Sequence, residues 1–525
     1  MRFPSASLAK YNSFPDLAGD MVNPTARVCL AILLCSVAAA QTAEQKTARY
    51  LDSIRRQPPL MIAFLHDLPK GGDLHSHLGG AAYAEDLIDF AASDNYCVDR
   101  TTSRLLSPPC DRCDRYTPKP AIRCAYDDHI LYNQIIDAWS MRNWRPGDES
   151  GHDHFFATFD KFEPASDGHT ADSIAMVINR AAKEHVQYIE FMHTADGSAA
   201  IKLGLNLGWE PDFAKAREKL LAAGLKDIVS ATSKTLAEDG TLIGKRLRCG
   251  TPDAEPGCNV SVRYIYQVLR GLPHEAVFAQ MVLGFELASS DQLFVGLNLV
   301  MPEDWYVPIR DFNEHMAMLD YLHGVYPKVH ITLHAGELAM GLVKPEDLSF
   351  HIRASIERGH AERIGHGVDV MLEKDPIGLL KEMAARNIDV EINLTSNDQI
   401  LGVSGEDHPL PAYLKYGVPV SISTDDEGVA RSDMTHEYLR AVEGYGLTYA
   451  ELKRMTRQSL EHSFLPGQSL WAGTKGSFRP VAACAGDFAG KDKPSSVCAK
   501  FLEGNERAKE QWKLESEFSK FEKTF

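Results

Sequence analysis

The chain has 525 residues, 44% of them hydrophobic and 24% charged, a composition typical of a folded protein with a large core. Its formal net charge of −17 argues against nucleic acid or an anionic membrane as the partner. A small neutral or cationic substrate is compatible with this charge.

The amino-terminal segment predicts export. In residues 21–40, MVNPTARVCLAILLCSVAAA, Arg27 precedes a short apolar run and small residues lead to Ala40. This pattern is typical of a secretory signal peptide removed after about Ala40, with Met21 as the true start and residues 1–20 as an upstream extension. The run is shorter than the ~20 residues of a membrane span. We therefore expect a secreted or periplasmic protein, free of the membrane once the signal is removed.

Eight cysteines lie beyond this signal, and an even number in an exported chain favours disulfides. Close spacing pairs Cys249 with Cys258 and Cys484 with Cys498. Two further pairs are expected among the first four cysteines: Cys97, Cys110, Cys113 and Cys124. The alternative is a zinc knuckle formed by those four, but their spacing is not a standard zinc pattern.

In chain order, residues 41–67 predict a helical arm, and residues 68–81, LPKGGDLHSHLGGA, contain the first strand. Alternation along that strand places His75 and His77 on one face, and His-x-His at a strand end commonly binds a metal. Residues 93–150, rich in Cys, Asp and Pro, predict a disulfide-linked insertion.

Strands and helical runs alternate from there. The further predicted strands are 186–192, 261–269, 281–288, 329–334, 362–367, 388–396 and 419–426. The predicted helical runs are 155–165, 170–184, 211–236, 274–280, 310–325, 345–358, 377–386 and 434–464. Eight strands separated by helices predict an α/β fold, a (β/α)8 TIM-type barrel, and a doubly wound open sheet is the alternative. The barrel is favoured because the polar residues then meet at the carboxyl ends of its strands.

Those strand ends predict a metal site. Three imidazoles and a carboxylate are a suitable ligand set for one Zn²⁺, with water in the open position. We assign the zinc ligands His75, His77, His334 and Asp425. Barrels with two metals commonly bridge them with a lysine on strand four, and the strand predicted at 281–288 has none, so we expect one zinc per chain.

Three further residues at these strand ends are candidates for the chemistry. Glu337 can give a proton to a substrate nitrogen, and His366 can orient the attacking water or shuttle its proton. Asp426, beside a ligand, can hydrogen-bond the substrate.

The segments FFATFDKFEPA, HAGE, RIGHG, STDD and EHSFLP follow PKGGDLHSHLGGA in the order seen in adenosine deaminases. The resemblance covers about residues 68–466, and the export signal and Cys-containing insertion make the chain most like the secreted, growth-factor-related branch. It implies a zinc-dependent barrel that replaces the 6-amino group of a purine nucleoside with oxygen. By this resemblance Glu337 protonates purine N1, His366 positions the attacking water and Asp426 contacts N7.

Three positions depart from the family. Gly79 stands where the family sequence HVHLDGA has an Asp associated with the sugar 5′-hydroxyl. The family's DLAGDE becomes ELASSD at 286–291, with Ser289 in place of a substrate-facing Gly. Glu427 replaces a frequent Pro.

The main hypothesis is therefore a zinc-dependent adenosine or 2′-deoxyadenosine deaminase whose partner is a small purine nucleoside. The alternatives are a deaminase of another 6-aminopurine, such as adenine or a modified nucleoside, and a non-catalytic secreted signalling or binding protein. A two-metal hydrolase is disfavoured by the missing lysine. Residues 467–525 lie outside the resemblance and predict a capping helix, with a homodimer contact as the alternative.

Overall fold

A computed structural model describes residues 41–147 and 149–525, so the predicted signal peptide lies outside the described residues. Eight parallel strands pair in chain order in one sheet. They are β1 (Gly71–His77), β2 (Val186–His193), β3 (Ser261–Leu269), β4 (Phe294–Val300), β5 (His330–Ala335), β6 (Arg363–His366), β7 (Asp389–Ile392) and β8 (Val420–Ile422). Ser76 of β1 bridges to Asp425, just beyond β8, and this contact closes the sheet. The predicted (β/α)8 barrel is confirmed.

Helices connect the strands and wrap the barrel. Before β1 lie Ala43–Ile54 and Pro58–Asp67, and between β1 and β2 lie Leu78–Ala81, Ala84–Ser93, His129–Ala138, Gly151–Phe162 and Thr170–Lys183. Ala199–Leu207, Phe213–Ala222 and Leu225–Arg246 follow β2, His274–Ser290 follows β3, Tyr306–Val325 follows β4, His351–Glu357 follows β5, and Pro376–Arg386 follows β6. Leu394–Leu401 and Leu410–Tyr416 follow β7, and Glu427–Ala430, Met434–Tyr445, Tyr449–Glu461, Ser496–Glu503 and Glu506–Glu522 follow β8.

One predicted strand is wrong. Residues 281–288 lie in the helix His274–Ser290, and the fourth strand is β4. This helix contacts β3 and β4 on one side and the helices Ala199–Leu207 and Leu225–Arg246 on the other, so it is buried almost all round. It therefore lacks the polar face that marks an outer barrel helix, and its apolar run resembles a buried strand. β4 also contains no lysine.

The insertion after β1 is linked by disulfides, as predicted. Its two pairs are Cys97–Cys110 and Cys113–Cys124. The predicted pairs Cys249–Cys258 and Cys484–Cys498 form elsewhere in the chain. The zinc-knuckle alternative is therefore wrong. The insertion shares an apolar core with the helix Gly151–Phe162 and with Val429 and Ile400, which lie in the helices Glu427–Ala430 and Leu394–Leu401 that follow β8 and β7. It thus packs at the carboxyl-end face of the barrel.

The carboxyl-terminal helix Glu506–Glu522 covers the opposite end. Glu510 accepts hydrogen bonds from Gln187 of β2 at 2.6 Å and from Ser261 of β3 at 3.0 Å. The apolar face of this helix, including Phe518, joins the main core. No helix among the described residues has the length and apolar character needed to cross a bilayer.

Candidate metal centre

Three imidazoles and a carboxylate converge at the carboxyl ends of β1, β5 and β8. His75 and His77 are two residues apart on β1, so both face the barrel axis, and His334 lies on β5. The Nε2 atoms of His77 and His334 are 3.1 Å apart. Asp425 Oδ1 lies 3.6 Å from His75 Nε2 and 3.5 Å from His77 Nε2. The three predicted histidine ligands form one largely buried group that could hold a metal ion, and Asp425 belongs to two overlapping groups, one with His75 and His366 and one with His77 and Asp426.

The spacing of these atoms fits zinc. Zn–N distances of about 2.0–2.1 Å in tetrahedral geometry place neighbouring ligand atoms roughly 3.4 Å apart. The separations of 3.1, 3.5 and 3.6 Å lie close to that value. His75 Nε2 is buried and has no hydrogen-bond partner within the described part of the chain, as expected of a ligand atom. The donor set and its spacing thus suit one Zn²⁺.

The other nitrogen of each ligand ring is held by an oxygen. Because each acceptor takes the Nδ1 proton, the ring presents the lone pair of Nε2 to the centre. The pairs are His75 with Glu391 at 2.6 Å, His77 with Gln267 at 2.9 Å, and His334 with Asn298 at 3.0 Å. We did not predict these three partners from the sequence. The signal that the sequence offered was a polar side chain within a strand.

Glu391 is the charged member of this outer layer. Burial raises the pKa of its carboxyl, but the Arg363 guanidinium and the His75 hydrogen bond outweigh burial and hold that pKa at about 2. Arg363 Nε lies 2.5 Å from Glu391 Oε1 and its Nη2 lies 2.6 Å from Glu190 Oε2. Arg363 is fully buried, so this ion-pair network lies inside the barrel, beneath the centre.

Glu337 stands beside the centre, two residues beyond β5. The left-handed Gly336, with φ of 73°, turns the chain there, and the Glu337 N–H donates to Glu303 Oε2 at 2.9 Å. Burial, reinforced by the charges of Asp425 and Glu303, raises the pKa of Glu337 well above its usual range. The raised pKa favours the protonated acid, which is the form that a proton donor requires.

His366 ends β6 on the other side of Glu337. Its Nε2 lies 3.7 Å from Glu337 Oε1 and 3.8 Å from Asp425 Oδ2. Its Nδ1 faces the side-chain nitrogen of Asn397 at 2.9 Å. Burial lowers the pKa of His366 to about 3, so the ring is neutral at neutral pH.

Asp426 follows the ligand Asp425 and packs against the loop after β1. Burial, with the charges of Asp425 and Glu337, raises the pKa of Asp426 well above its usual range. A Cβ on Gly80 would lie 1.8 Å from Asp426 Oδ1, so the carboxyl group occupies the space of a side chain there. Gly79, by contrast, is exposed, and a Cβ there would have no heavy atom within 4 Å.

The structure corrects the role expected for Ser289. It is exposed near the end of the helix His274–Ser290, which runs back to the start of β4, and its hydroxyl donates to the Phe285 carbonyl at 2.7 Å. Ser289 is therefore far from the strand ends that carry the centre, and the loop that faces the site begins at Met301, directly after β4.

Glu427, for which no role was predicted, is a buried structural acid. Its Oε1 accepts from Arg180 Nη1 at 2.7 Å. The Arg180 guanidinium also lies over the Tyr83 ring, 4.2 Å from its centroid. The pair thus ties the start of the helix Glu427–Ala430 to the helix Thr170–Lys183.

Fold and centre together define a (β/α)8 barrel protein with a candidate metal site at the carboxyl ends of its strands. A sequence model of the family described as "Adenosine deaminase" matches residues 229–470. The adenosine deaminase of Escherichia coli (strain SE11) is 39% identical over 140 residues, which cover 26% of this chain and 39% of that protein. The adenosine deaminase of Serratia proteamaculans (strain 568) is 42% identical over 141 residues, covering 27% and 39%.

The chain therefore spans about two fifths of the length of the curated relatives it matches. The chain is similar to the adenosine deaminase family. A solved structure, the Arabidopsis N6-mAMP deaminase, is 20% identical with a TM-score of 0.48 and covers 77% of this chain and 96% of that chain. A likeness at that level carries no argument about substrate. Membership of the secreted, growth-factor-related branch stays a prediction.

Proposed function

We propose that this protein is a zinc-dependent deaminase that hydrolyses adenosine or 2′-deoxyadenosine to inosine or 2′-deoxyinosine and ammonia. The observation that carries the proposal is the buried Glu337, whose raised pKa favours its protonated form, beside the histidines and aspartates that could hold a metal ion. A binding module needs neither an acid held in its protonated form nor the neighbouring His366. Similarity to the adenosine deaminase family supports the same chemistry.

His75, His77, His334 and Asp425 would hold one zinc ion. Bound Zn²⁺ lowers the pKa of water toward ~7 and so supplies a nucleophile at neutral pH. The absence of a lysine from β4 supports a single ion, because such a lysine commonly bridges two.

The chain's own residues activate the purine. Glu337 gives its proton to ring nitrogen N1, which makes the neighbouring amino-bearing carbon more electrophilic. His366 positions the water that attacks this carbon. The water oxygen replaces the amino group: one water proton leaves with that group as ammonia, and the other restores the proton that Glu337 gave to N1. The raised pKa of Asp426 favours its protonated form, which can donate its O–H to N7, a nitrogen that only accepts hydrogen bonds.

A second candidate substrate class is a 6-aminopurine other than these nucleosides, and Gly79 favours it. Gly79 brings no carboxylate to the position that the resemblance associates with the sugar, and open space surrounds it. Gly79→Asp should fit without a clash. One hydrogen bond to a charged group is worth about 1.5–3 kcal/mol, so this variant should raise kcat/KM for adenosine relative to adenine by roughly tenfold or more. An unchanged ratio would remove position 79 from sugar recognition.

We also propose that the protein is exported. The support is its four disulfides, which persist in oxidising compartments.

The deciding experiment mixes purified protein with adenosine, 2′-deoxyadenosine, adenine and AMP in parallel and follows purine absorbance, ammonia and zinc per chain. Ammonia from either nucleoside, lost in Glu337→Gln, would support the proposal. Release from adenine alone would favour the second candidate class. Silence on all four substrates with one zinc bound would overturn the proposal and leave either an unusual purine substrate or a non-catalytic protein.

A further inference from the structure

We propose that a relay of hydrogen bonds from the Leu410 backbone through His408 and Asn397 fixes the His366 ring with its proton on Nε2, so that His366 orients the attacking water by donating to its oxygen. His408 and Asn397 are then positioning residues. The inference rests on the proposed function, because it specifies how His366 acts in that reaction.

The relay starts at a group with only one possible role. The Leu410 backbone N–H donates to His408 Nδ1 at 3.1 Å, and a backbone N–H cannot accept. His408 is buried, with 2% of its surface exposed, and burial lowers its pKa to about 4, so the ring is neutral. With Nδ1 accepting, the single ring proton of His408 must lie on Nε2.

That proton fixes the next two groups. His408 Nε2 lies 3.0 Å from Asn397 Oδ1, so the amide oxygen accepts and the amide nitrogen points the other way. Asn397 Nδ2 then donates to His366 Nδ1 at 2.9 Å, and Asn393 Nδ2 lies 3.4 Å from the same atom. His366 Nδ1 therefore accepts, and the ring carries its proton on Nε2. A second proton on Nδ1 would face the N–H of Asn397, which also opposes a cationic ring.

The consequence is an N–H aimed at the candidate centre. His366 Nε2 is buried and has no hydrogen-bond partner in residues 41–147 and 149–525. The oxygens of Glu337 and Asp425 lie 3.7 and 3.8 Å from it, beyond direct hydrogen-bond reach. A water oxygen in this space would receive the Nε2 proton as a hydrogen bond. In this state Nε2 has no lone pair with which to remove a proton from the water.

Asn397→Asp reverses the relay with almost no change in shape. A carboxylate only accepts, so it would take hydrogen bonds from His408 Nε2 and from His366 Nδ1, and His366 Nε2 would lose its proton. A wrong imidazole tautomer costs about 10⁴ in kcat in serine proteases, so we expect kcat to fall by roughly 10²–10⁴. KM should change by less than about threefold, because the ring acts on water and not on the purine.

The tautomer is also measurable without turnover. The ¹⁵N shifts of histidine-labelled protein distinguish Nδ1–H from Nε2–H, and we expect Nε2–H for His366 in the wild type and Nδ1–H in Asn397→Asp. A matched pair tests the middle of the relay. His408→Gln keeps a donor to Asn397, whereas His408→Leu does not, so the Leu variant should lose more turnover.

The outcomes separate the relay from the proposed function. A wild-type His366 protonated on Nδ1, or Asn397→Asp with wild-type kcat, would overturn the relay. If Asn397→Asp does not fold, the wild-type spectrum and the His408 pair decide the matter. If the wild type deaminates no purine but the tautomers switch as expected, the proposed function fails and the relay stands.

Discussion

Four imidazoles crowd the same centre, yet their outer nitrogens meet opposite partners. His75, His77 and His334 each give Nδ1–H to an oxygen, whereas His366 receives an N–H from Asn397 at the same atom. The first three therefore present a lone pair to the centre, and the fourth presents a proton.

Distance does not separate the two kinds of ring. The His366 ring lies 5.0 Å from the His75 ring and 5.2 Å from the His334 ring. What differs is the residue behind each ring. The lesson is that the second layer decides whether an imidazole here serves as a ligand or as a hydrogen-bond donor.

The largest effect is expected from removing one of the three histidine rings that present a lone pair to the centre. His334→Ala should lose bound zinc and at least ~10³ of turnover together, because the metal supplies several kcal/mol of transition-state stabilisation. His330→Ala is a matched control, since His330 starts the same strand and is paired with Glu362 away from the centre. Metal counts and turnover would be measured for both. Full zinc occupancy in His334→Ala would refute its role as a ligand.

Removing the acid group of Glu337 should lower turnover without affecting metal binding. Glu337→Gln should lower turnover by at least ~10², since an amide cannot transfer a proton, and should leave zinc bound. Turnover and zinc content of the same preparation test this. Wild-type turnover would remove Glu337 as the donor.

Changing the partner behind one ligand ring should give a smaller effect. Gln267→Leu removes the acceptor at His77 Nδ1 and should weaken zinc affinity by about 10–100-fold, the usual range for such partners. Gln267→Glu keeps an acceptor and should bind zinc more tightly than Gln267→Leu. Competition with a chelator measures the zinc affinity of each variant. Equal affinities would contradict the idea that the residue behind a ligand ring controls how that ring binds the metal.

The mildest test is pH. Glu337 donates only when protonated, and its pKa is raised, so kcat/KM should persist through neutral pH and then fall about tenfold per unit above that pKa. A pH–rate profile with zinc held saturating would locate this limb. The residual activity of Glu337→Gln should lack it, and a wild-type activity that rises steadily with pH would contradict the assignment.

The sequence predicted the strands correctly where an apolar or alternating run ended in polar site residues. Alternation predicted β1 with His75 and His77, and apolar runs predicted β5 and the other ligand-bearing strands. The prediction of a strand at residues 281–288 was wrong because this segment shows no clear periodicity. The helix that contains them is covered by the barrel and by a second layer of helices, and burial on both sides erases the periodicity that distinguishes a helix from a strand.

The second layer could not be predicted in the same way. Asn298 is the one polar side chain of β4, and Gln267 shares β3 with Ser261 and Arg263, and neither pattern gives the direction or distance of a partner. His408 is harder still, because it follows β7 by a helix and a loop and meets Asn397 only in the folded chain. Its role depends on donor and acceptor geometry, which spacing along the chain does not contain.

The adjacent glycines after β1 have opposite evolutionary freedom. Gly80 is locked, because the Asp426 carboxyl group fills the space of its missing side chain. Gly79 faces open space at an exposed position, so any residue compatible with the short helix Leu78–Ala81 can be tried there without disturbing the centre. Under the proposed function, single substitutions at position 79 could therefore change the substrate range while Gly80 stays fixed beside Asp426.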